Sequence, residues 1–203
     1  MKTYDNTAGH IFADIGGKLM LVDTGAAKTF YDEYQGVRID DLSRILAQPL
    51  DGVLGMDSIR GQVLSITRDS IDFNAVAPDQ KGAPLNYISG SPCVDIKINE
   101  IACRAVIKTG AATSYISEAL ISKDKYTRSV NDMHPCYGNF SVKMFVNYFS
   151  ISNKSYFADA GELPADFALS SSDGVDAIIG ADMLDRFDLV MDFSDNRLHL
   201  ISK

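Results

Sequence analysis

The sequence predicts a mainly β protein built from two related halves. Three observations carry this prediction: short apolar runs divided by turn residues, an internal repeat, and a stretch of chain-breaking residues between the two copies. The chain has 203 residues, of which 46% are hydrophobic and 23% are charged, as in ordinary globular proteins. A chain of this length and composition can bury a core of its own.

The strand pattern is similar in the two halves. The segments 10–22 and 93–107 each consist of two short apolar runs around a pair of turn residues, which is typical of a β-hairpin. Further strands are expected at 140–146 and 155–158, and short helices at 39–47 and 118–123.

The two halves are separated by a segment rich in proline and glycine. Residues 74–92 include Pro78, Gly82, Pro84 and Gly90, a density that favours an extended connection over a regular element. We therefore predict a first lobe at 1–75, a linker at 76–92 and a second lobe at 93–203.

The internal repeat consists of two blocks that occur in the same order in each half. The first block reads LVDTGAAKTF at 21–30 and VIKTGAATSY at 106–115. The second reads DGVLGMD at 51–57 and DAIIGAD at 176–182. Each second block is followed by a short helix-like piece and a closing strand, so the two halves are expected to share one local structure.

These blocks resemble those of the aspartic peptidases, the retropepsin and pepsin-like group, over roughly 10–75 and 93–203. In that family each half supplies an Asp-Thr-Gly loop and an apolar-apolar-Gly segment that supports it. The resemblance implies a two-lobed, pepsin/retropepsin-like β-barrel architecture with pseudo-two-fold symmetry and few short helices. The loop occurring twice, each time with its support segment downstream, is far more specific than a single Asp-Thr-Gly.

The resemblance also implies a role for each matching residue. Asp23 would be one catalytic acid, Thr24 and Thr109 would lock the two loops together, and Gly25 and Gly110 would permit their close approach. The supporting segments would be Val53, Leu54 and Gly55 in the first half and Ile178, Ile179 and Gly180 in the second.

The sequence departs from the family at one position. In the family two neighbouring carboxylates share one proton, one activating a water molecule while the other polarises the scissile carbonyl. Here Lys108 stands where the second carboxylate is expected, although Thr109, Gly110 and Ala111 after it are retained. An ammonium cannot share that proton, and we expect it to form a closed ion pair with Asp23.

The family also covers its site with a β-hairpin flap, and here the sequence predicts that flap in the second half. The interval between the two blocks is short and partly helical in the first half, whereas in the second it is long and includes the strand-like stretch 137–157. Asp57 and Asp182, directly after the support glycines, are expected to cap the short helices that follow them.

Composition excludes several other classes of function. The net charge of −8 and the pI near 4.8 disfavour binding to nucleic acid. The apolar runs are too short to cross a membrane, and Cys93, Cys103 and Cys136 indicate neither a disulfide framework nor a metal site. We expect no cofactor and no metal. The start of the given chain does not resemble a signal peptide, which indicates a cytoplasmic protein unless a secretory signal has been trimmed.

Three functions stay open at this level. The first is a homologue that binds peptide or protein between its lobes without ordinary hydrolysis, as a monomer. The second is an active endopeptidase that uses Asp23 with Lys108, or pairs Asp23 with its copy in a second molecule. The third is a structural module whose cleft is closed by an ion pair.

Overall fold

The computed structural model describes residues 2–3, 9–67, 69–135, 138–164 and 174–203, and it is mainly β. The strands are β1 (Lys2–Thr3), β2 (Phe12–Asp14), β3 (Leu19–Val22), β4 (Glu33–Tyr34), β5 (Val37–Arg38), β6 (Gly52–Leu54), β7 (Val63–Ile66), β8 (Ser70–Asp72), β9 (Ala83–Pro84), β10 (Asn86–Ile88), β11 (Ser91–Ile98), β12 (Ile101–Ile107), β13 (Tyr115–Ile116), β14 (Tyr126–His134), β15 (Gly138–Ile151), β16 (Lys154–Glu162), β17 (Ala177–Ile179), β18 (Phe187–Asp192) and β19 (Arg197–Ser202). The helices are α1 (Ile39–Leu46) and α2 (Met56–Ile59), with 3₁₀ turns at Glu118–Leu120, Lys123–Lys125 and Ala181–Asp185.

These elements confirm the two predicted hairpins and the first predicted helix. The hairpins are β2–β3 and β11–β12, and α1 begins at the predicted residue. The helix expected at 118–123 is instead two short 3₁₀ turns. The single closing strand expected in each half is a pair of antiparallel strands, β7–β8 in the first and β18–β19 in the second.

The second half closes into a β-barrel. Its strands pair in the order β11, β12, β17, β13, β16 and β15, and β15 returns to pair with β11. The β12–β17 and β13–β16 pairs are parallel, and the others in the ring are antiparallel. The parallel β12–β17 pair sets Ile107 beside Ile179, so the end of the second loop's strand lies against its support segment.

A sheet shared by both halves displays the two-fold relation. Its order is β1-β8-β7-β18-β19-β9, with β7 of the first half paired antiparallel to β18 of the second. An axis between β7 and β18 exchanges the β7–β8 pair with the β18–β19 pair, and β1 with β9. The expected linker 76–92 thus contains β9, which pairs with β19, and β10, which pairs with β11.

The first half is the smaller of the two. Three of its strands outside the shared sheet, β2-β3-β6, form a sheet in which β3 and β6 are parallel, and β4 and β5 pair with each other. Helix α1 packs on this sheet through Ile39 and Leu42, which cluster with Phe12, Leu21 and Val53. The acidic residues of its first turn suit the positive end of the helix dipole. The interval that was expected to be partly helical therefore holds α1.

One continuous apolar core joins the halves. Its buried side chains come from the first half, the shared sheet and the barrel, for example Val22, Leu64, Ile107 and Leu189. Burying this surface in common holds the two loop-bearing strands, β3 and β12, in a fixed relation.

Candidate functional site

The two repeated loops meet at the junction of the halves. The first follows β3 and the second follows β12, and each is held by its support segment. The Asp23 N–H donates to the Leu54 carbonyl oxygen at 3.0 Å, and the Lys108 N–H donates to the Ile179 carbonyl oxygen at 2.9 Å. Residues 23 and 108 therefore occupy equivalent backbone positions.

Thr24 and Thr109 join the loops by reciprocal hydrogen bonds. The hydroxyl of Thr24 accepts from the Thr109 N–H (3.1 Å) and donates to the Ile107 carbonyl (2.6 Å). The hydroxyl of Thr109 accepts from the Thr24 N–H (3.0 Å) and donates to the Val22 carbonyl (2.8 Å). Both threonines are fully buried, so these bonds satisfy four backbone groups that water cannot reach.

Gly25 and Gly110 lie where no larger residue fits. A Cβ on Gly110 would come within 2.3 Å of Asp23 Cγ, and one on Gly25 within 2.8 Å of Lys108 Cγ. The side chains of residues 23 and 108 therefore cross, each lying against the glycine of the opposite loop. Asp23 Oδ1 accepts from the N–H of Gly25 at 2.7 Å and from that of Gly110 at 3.3 Å.

The expected ion pair between Asp23 and Lys108 is wrong. Both residues are described, and the structure forms no ion pair between them. The reason is geometric: Asp23 turns one carboxylate oxygen toward two backbone N–H groups, while the methylenes of Lys108 run along Gly25. Both side chains are half-buried.

Behind each loop, a hydroxyl and a carboxylate connect it to its support segment. Thr29 Oγ1 accepts from the Gly55 N–H at 3.0 Å and donates to Asp57 Oδ1 at 2.8 Å. Ser114 Oγ accepts from the Gly180 N–H at 3.0 Å and donates to Asp182 Oδ1 at 2.6 Å.

The helix-capping role expected for Asp57 and Asp182 is therefore wrong. Asp57 lies within α2 and Asp182 within the 3₁₀ turn Ala181–Asp185, and neither element has a side-chain cap. The carboxylates accept from the backbone N–H and hydroxyl of Thr29 and of Ser114 instead. The repeat carried a signal for this, because a hydroxyl residue and an aspartate recur at the same places in both copies.

The support glycines are required by close backbone contact. A Cβ on Gly55 would lie 2.5 Å from the Lys28 carbonyl carbon and oxygen, and one on Gly180 2.6 Å from the Thr113 carbonyl oxygen. The apolar residues before them, Val53 and Leu54 in β6 and Ile178 and Ile179 in β17, are buried. Backbone atoms cannot move aside as a side chain can, so each segment is fixed against its loop.

The two carboxylates differ in environment. Asp57 is exposed, whereas burial raises the pKa of Asp182 to about 6, against the opposing effect of its hydrogen bonds from Ser114. Between pH 4 and 6 the folded protein therefore holds a proton on Asp182 that the unfolded chain, with its ordinary value of 3.8, releases.

We expect this difference to make the free energy of unfolding fall as pH rises from 4 to 6. Because Asp182 keeps some contact with solvent, the effect should be on the order of 1 kcal/mol. Urea unfolding at pH 4, 5, 6 and 7 measures it, and Asp182→Asn should remove that part of the slope. The matched change Asp57→Asn should leave the slope in place; parallel profiles for the wild type and Asp182→Asn would contradict the assignment.

A β-hairpin of the second half, β14–β15, reaches the site. It belongs to the half in which the sequence predicted a flap. The Tyr115 hydroxyl donates to Asp132 Oδ2 on β14. Tyr115 follows the second loop at the place that Phe30 holds after the first, so only the second copy offers a hydroxyl here.

Replacing Tyr115 with phenylalanine is expected to loosen this hairpin. The change removes the hydrogen bond to Asp132 and keeps the ring. Because one charge-assisted hydrogen bond is lost, amide hydrogen exchange along β14 should become about tenfold faster. Exchange followed by mass spectrometry measures this effect. Tyr126→Phe is the control, because Tyr126 is exposed and, among the described residues, its hydroxyl forms a hydrogen bond only with Ser129 of the same strand. Equal protection in the wild type and Tyr115→Phe would show that other contacts hold the hairpin.

Two histidines that the sequence did not indicate also face the loops. His10 Nδ1 donates to the Gly110 carbonyl at 3.0 Å, and burial lowers the pKa of His10 against the opposing charges of Asp132 and Asp23. Burial also lowers the pKa of His134, at the end of β14, and the Lys108 ammonium lowers it further. With both pKa values lowered, the two imidazoles are uncharged at neutral pH.

The remaining features lie behind the second loop or outside the described residues. Tyr137, the first residue of the stretch 137–157 in which the sequence predicts the flap, falls outside them, as do the polar residues 170–173. A cavity of about 430 Å³ on the second half is lined by Ser114 and Asp182 behind the second loop and by side chains such as Phe149 and Tyr156, but not by Asp23 or Lys108. Within the described ranges, no cluster of three or more potential ligands is arranged for a metal ion, and no helix is both long and apolar enough to cross a membrane.

Comparison with known proteins gives the fold. No family model and no curated protein matches the chain. The aspartic proteinase from Irpex lacteus superposes with a TM-score of 0.60 at 11% identity, over 100% of this chain and 96% of that one. The EIAV protease complexed with the inhibitor HBY-793 matches with a TM-score of 0.34 at 16% identity, over 54% of this chain and 92% of that one. The first of these likenesses shows that the chain has the two-lobed, pepsin-like aspartic proteinase fold.

Proposed function

We propose that the protein is an aspartic-peptidase homologue with a degenerate dyad, which binds a peptide or protein segment between its lobes without ordinary hydrolysis. The observation that carries the proposal is the site itself. The two loops, their threonine lock and their support segments are all in place, but they present one carboxylate and one ammonium.

The chemistry of the family needs two carboxyl groups that share a proton. The ionised group takes a proton from the attacking water, and the protonated group polarises the scissile carbonyl. Lys108 has no carboxyl group to offer, and the Gly110 N–H of its own loop donates to Asp23 instead. Asp23 can still act as a base, but it has no carboxylic acid partner, so the ordinary reaction is not expected.

Several features favour binding over a purely structural role. Asp23, Lys108, His10 and His134 are only half-buried, so a ligand can reach them. The Tyr115–Asp132 hydrogen bond holds the β14–β15 hairpin next to the second loop, so an extended ligand could bind alongside its strands. A closed Asp23–Lys108 ion pair would have argued for a blocked site, and that pair is not formed.

We further propose that the protein acts as a monomer. Both loops come from one chain, and pairing Asp23 with its copy in a second molecule would require the second half to move out of the shared sheet. Sedimentation at micromolar concentration tests this point, and a stable dimer would reopen the dimeric route to an active site.

The test is incubation of a diverse synthetic peptide mixture with the wild type and with Asp23→Ala, from acid to neutral pH. Mass spectrometry then reports both the peptides retained and the peptides cut. We expect retention of intact peptides and no cleavage by either protein. Cleavage by the wild type that disappears in Asp23→Ala would establish the alternative, an active endopeptidase working through Asp23. Neither retention nor cleavage would indicate a structural module.

A further inference from the structure

We propose that Lys108 binds a carboxylate of the ligand, so that the peptide held at this site is selected for an acidic group placed over the two loops. That group is either the C-terminal carboxylate of the peptide or the side chain of an aspartate or glutamate within it. The inference rests on the proposed function and specifies the ligand class of the same site.

The course of the Lys108 side chain supports this assignment. Its Cγ and Cδ pass beside Gly25, within 2.9 Å of where a Cβ on that residue would lie. A lysine side chain also places its charge farther from the backbone than the aspartate at the equivalent position does. In the part of the chain that the structure describes, the Lys108 ammonium takes part in no hydrogen bond or ion pair.

The nearby carboxylates are engaged with other donors. Asp23 Oδ1 accepts two backbone N–H groups, and Asp132 accepts from the Tyr115 hydroxyl and from the Met133 N–H at 2.7 Å. A half-buried ammonium without a direct partner has lost part of its hydration and makes no hydrogen bond within the protein in return. A ligand carboxylate in contact with it would form a charge-assisted hydrogen bond, among the strongest in proteins.

The overall charge makes this preference easy to distinguish from nonspecific attraction. The chain carries a net charge of −8, so long-range electrostatics favour basic peptides and repel acidic ones. Selection of acidic peptides would therefore report on the local cation at the loops and not on the surface as a whole.

The experiment uses three pools of random heptapeptides at neutral pH. The first has a free C-terminal carboxylate and no internal aspartate or glutamate. The second has an amidated C-terminus and one central glutamate, and the third is amidated and has no acidic residue. Equilibrium dialysis measures the affinity of each pool for the wild-type protein. We expect the first or the second to bind at least about tenfold more tightly than the third, which also identifies the source of the carboxylate.

Substitution then assigns the preference to one residue. Lys108→Met keeps the apolar stem without the charge and should abolish the difference between pools; Lys108→Gln is a second, polar variant with the same expected result. Lys28→Met is the matched control, because Lys28 is an exposed lysine of the first loop and should be replaceable without effect.

The outcomes separate the two proposals. Equal binding of all three pools would overturn the carboxylate site and leave peptide binding intact. No binding of any pool would overturn both. A preference that survives Lys108→Met in a folded protein would also overturn the assignment to Lys108.

Discussion

Exchanging Lys108 for aspartate is expected to give the protein peptidase activity at acid pH. The backbone at position 108 is held as Asp23 is held, and Gly25 and Gly110 already leave room for two crossing side chains. Two carboxylates so close cannot both ionise, so they would share one proton, as catalysis requires. Positioned acid–base catalysis contributes about 10²- to 10⁴-fold, so cleavage should rise at least about a hundredfold over the wild type.

The measurement is cleavage of the synthetic peptide mixture at mildly acid pH, read by mass spectrometry. Two controls isolate the cause. Adding Asp23→Asn to Lys108→Asp should remove the gained activity, and Lys108→Asn, which removes the ammonium without supplying a carboxyl group, should give none. A folded Lys108→Asp protein that cuts nothing would contradict the view that only a carboxylate is missing, and would favour a structural module.

The local parts of this site could be predicted from the sequence because they repeat. Thr24 and Thr109, Gly25 and Gly110, and the two support glycines stand at matching places in both copies. In a protein with two-fold symmetry, such places lie around the axis. Turn residues between apolar runs also sufficed for the hairpins, since strand and turn signals act over short distances.

Contacts between distant segments could not be predicted in the same way. The expected capping by Asp57 and Asp182 followed a rule for neighbouring residues, whereas their partners, Thr29 and Ser114, lie 28 and 68 positions away. The β7–β18 pairing depends likewise on how the halves dock. His10 and His134 carry no pattern of their own and approach the loops only through the fold.

The prediction of an Asp23–Lys108 ion pair was wrong for a different reason. Opposite charges at equivalent positions favour pairing, but the loop backbone competes for the carboxylate. Two N–H groups aimed at Asp23 Oδ1 satisfy it without the lysine, and the stem of Lys108 follows the surface of Gly25. The sequence shows which charged residues are present, whereas the positions of the backbone N–H groups decide which of these residues form an ion pair.

Replacing Thr24 with valine is expected to lower the free energy of unfolding by about 2–6 kcal/mol. Valine has nearly the same shape, so the loss comes from hydrogen bonding and not from packing. It leaves the Ile107 carbonyl and the Thr109 N–H without partners in a region closed to water. Each such group costs about 1–3 kcal/mol.

The two-fold relation sharpens this prediction. Thr109→Val leaves the Val22 carbonyl and the Thr24 N–H unpaired, so its cost should equal that of Thr24→Val within about 1 kcal/mol. Thr24→Ser and Thr109→Ser keep the hydroxyl and should each cost clearly less than the corresponding valine. Equilibrium unfolding in urea measures all four variants. Unequal losses for the two valine variants would mean that the two threonines contribute differently to the stability of the junction. A loss below about 1 kcal/mol for both would mean that the buried core, and not the threonine hydrogen bonds, holds the loops together.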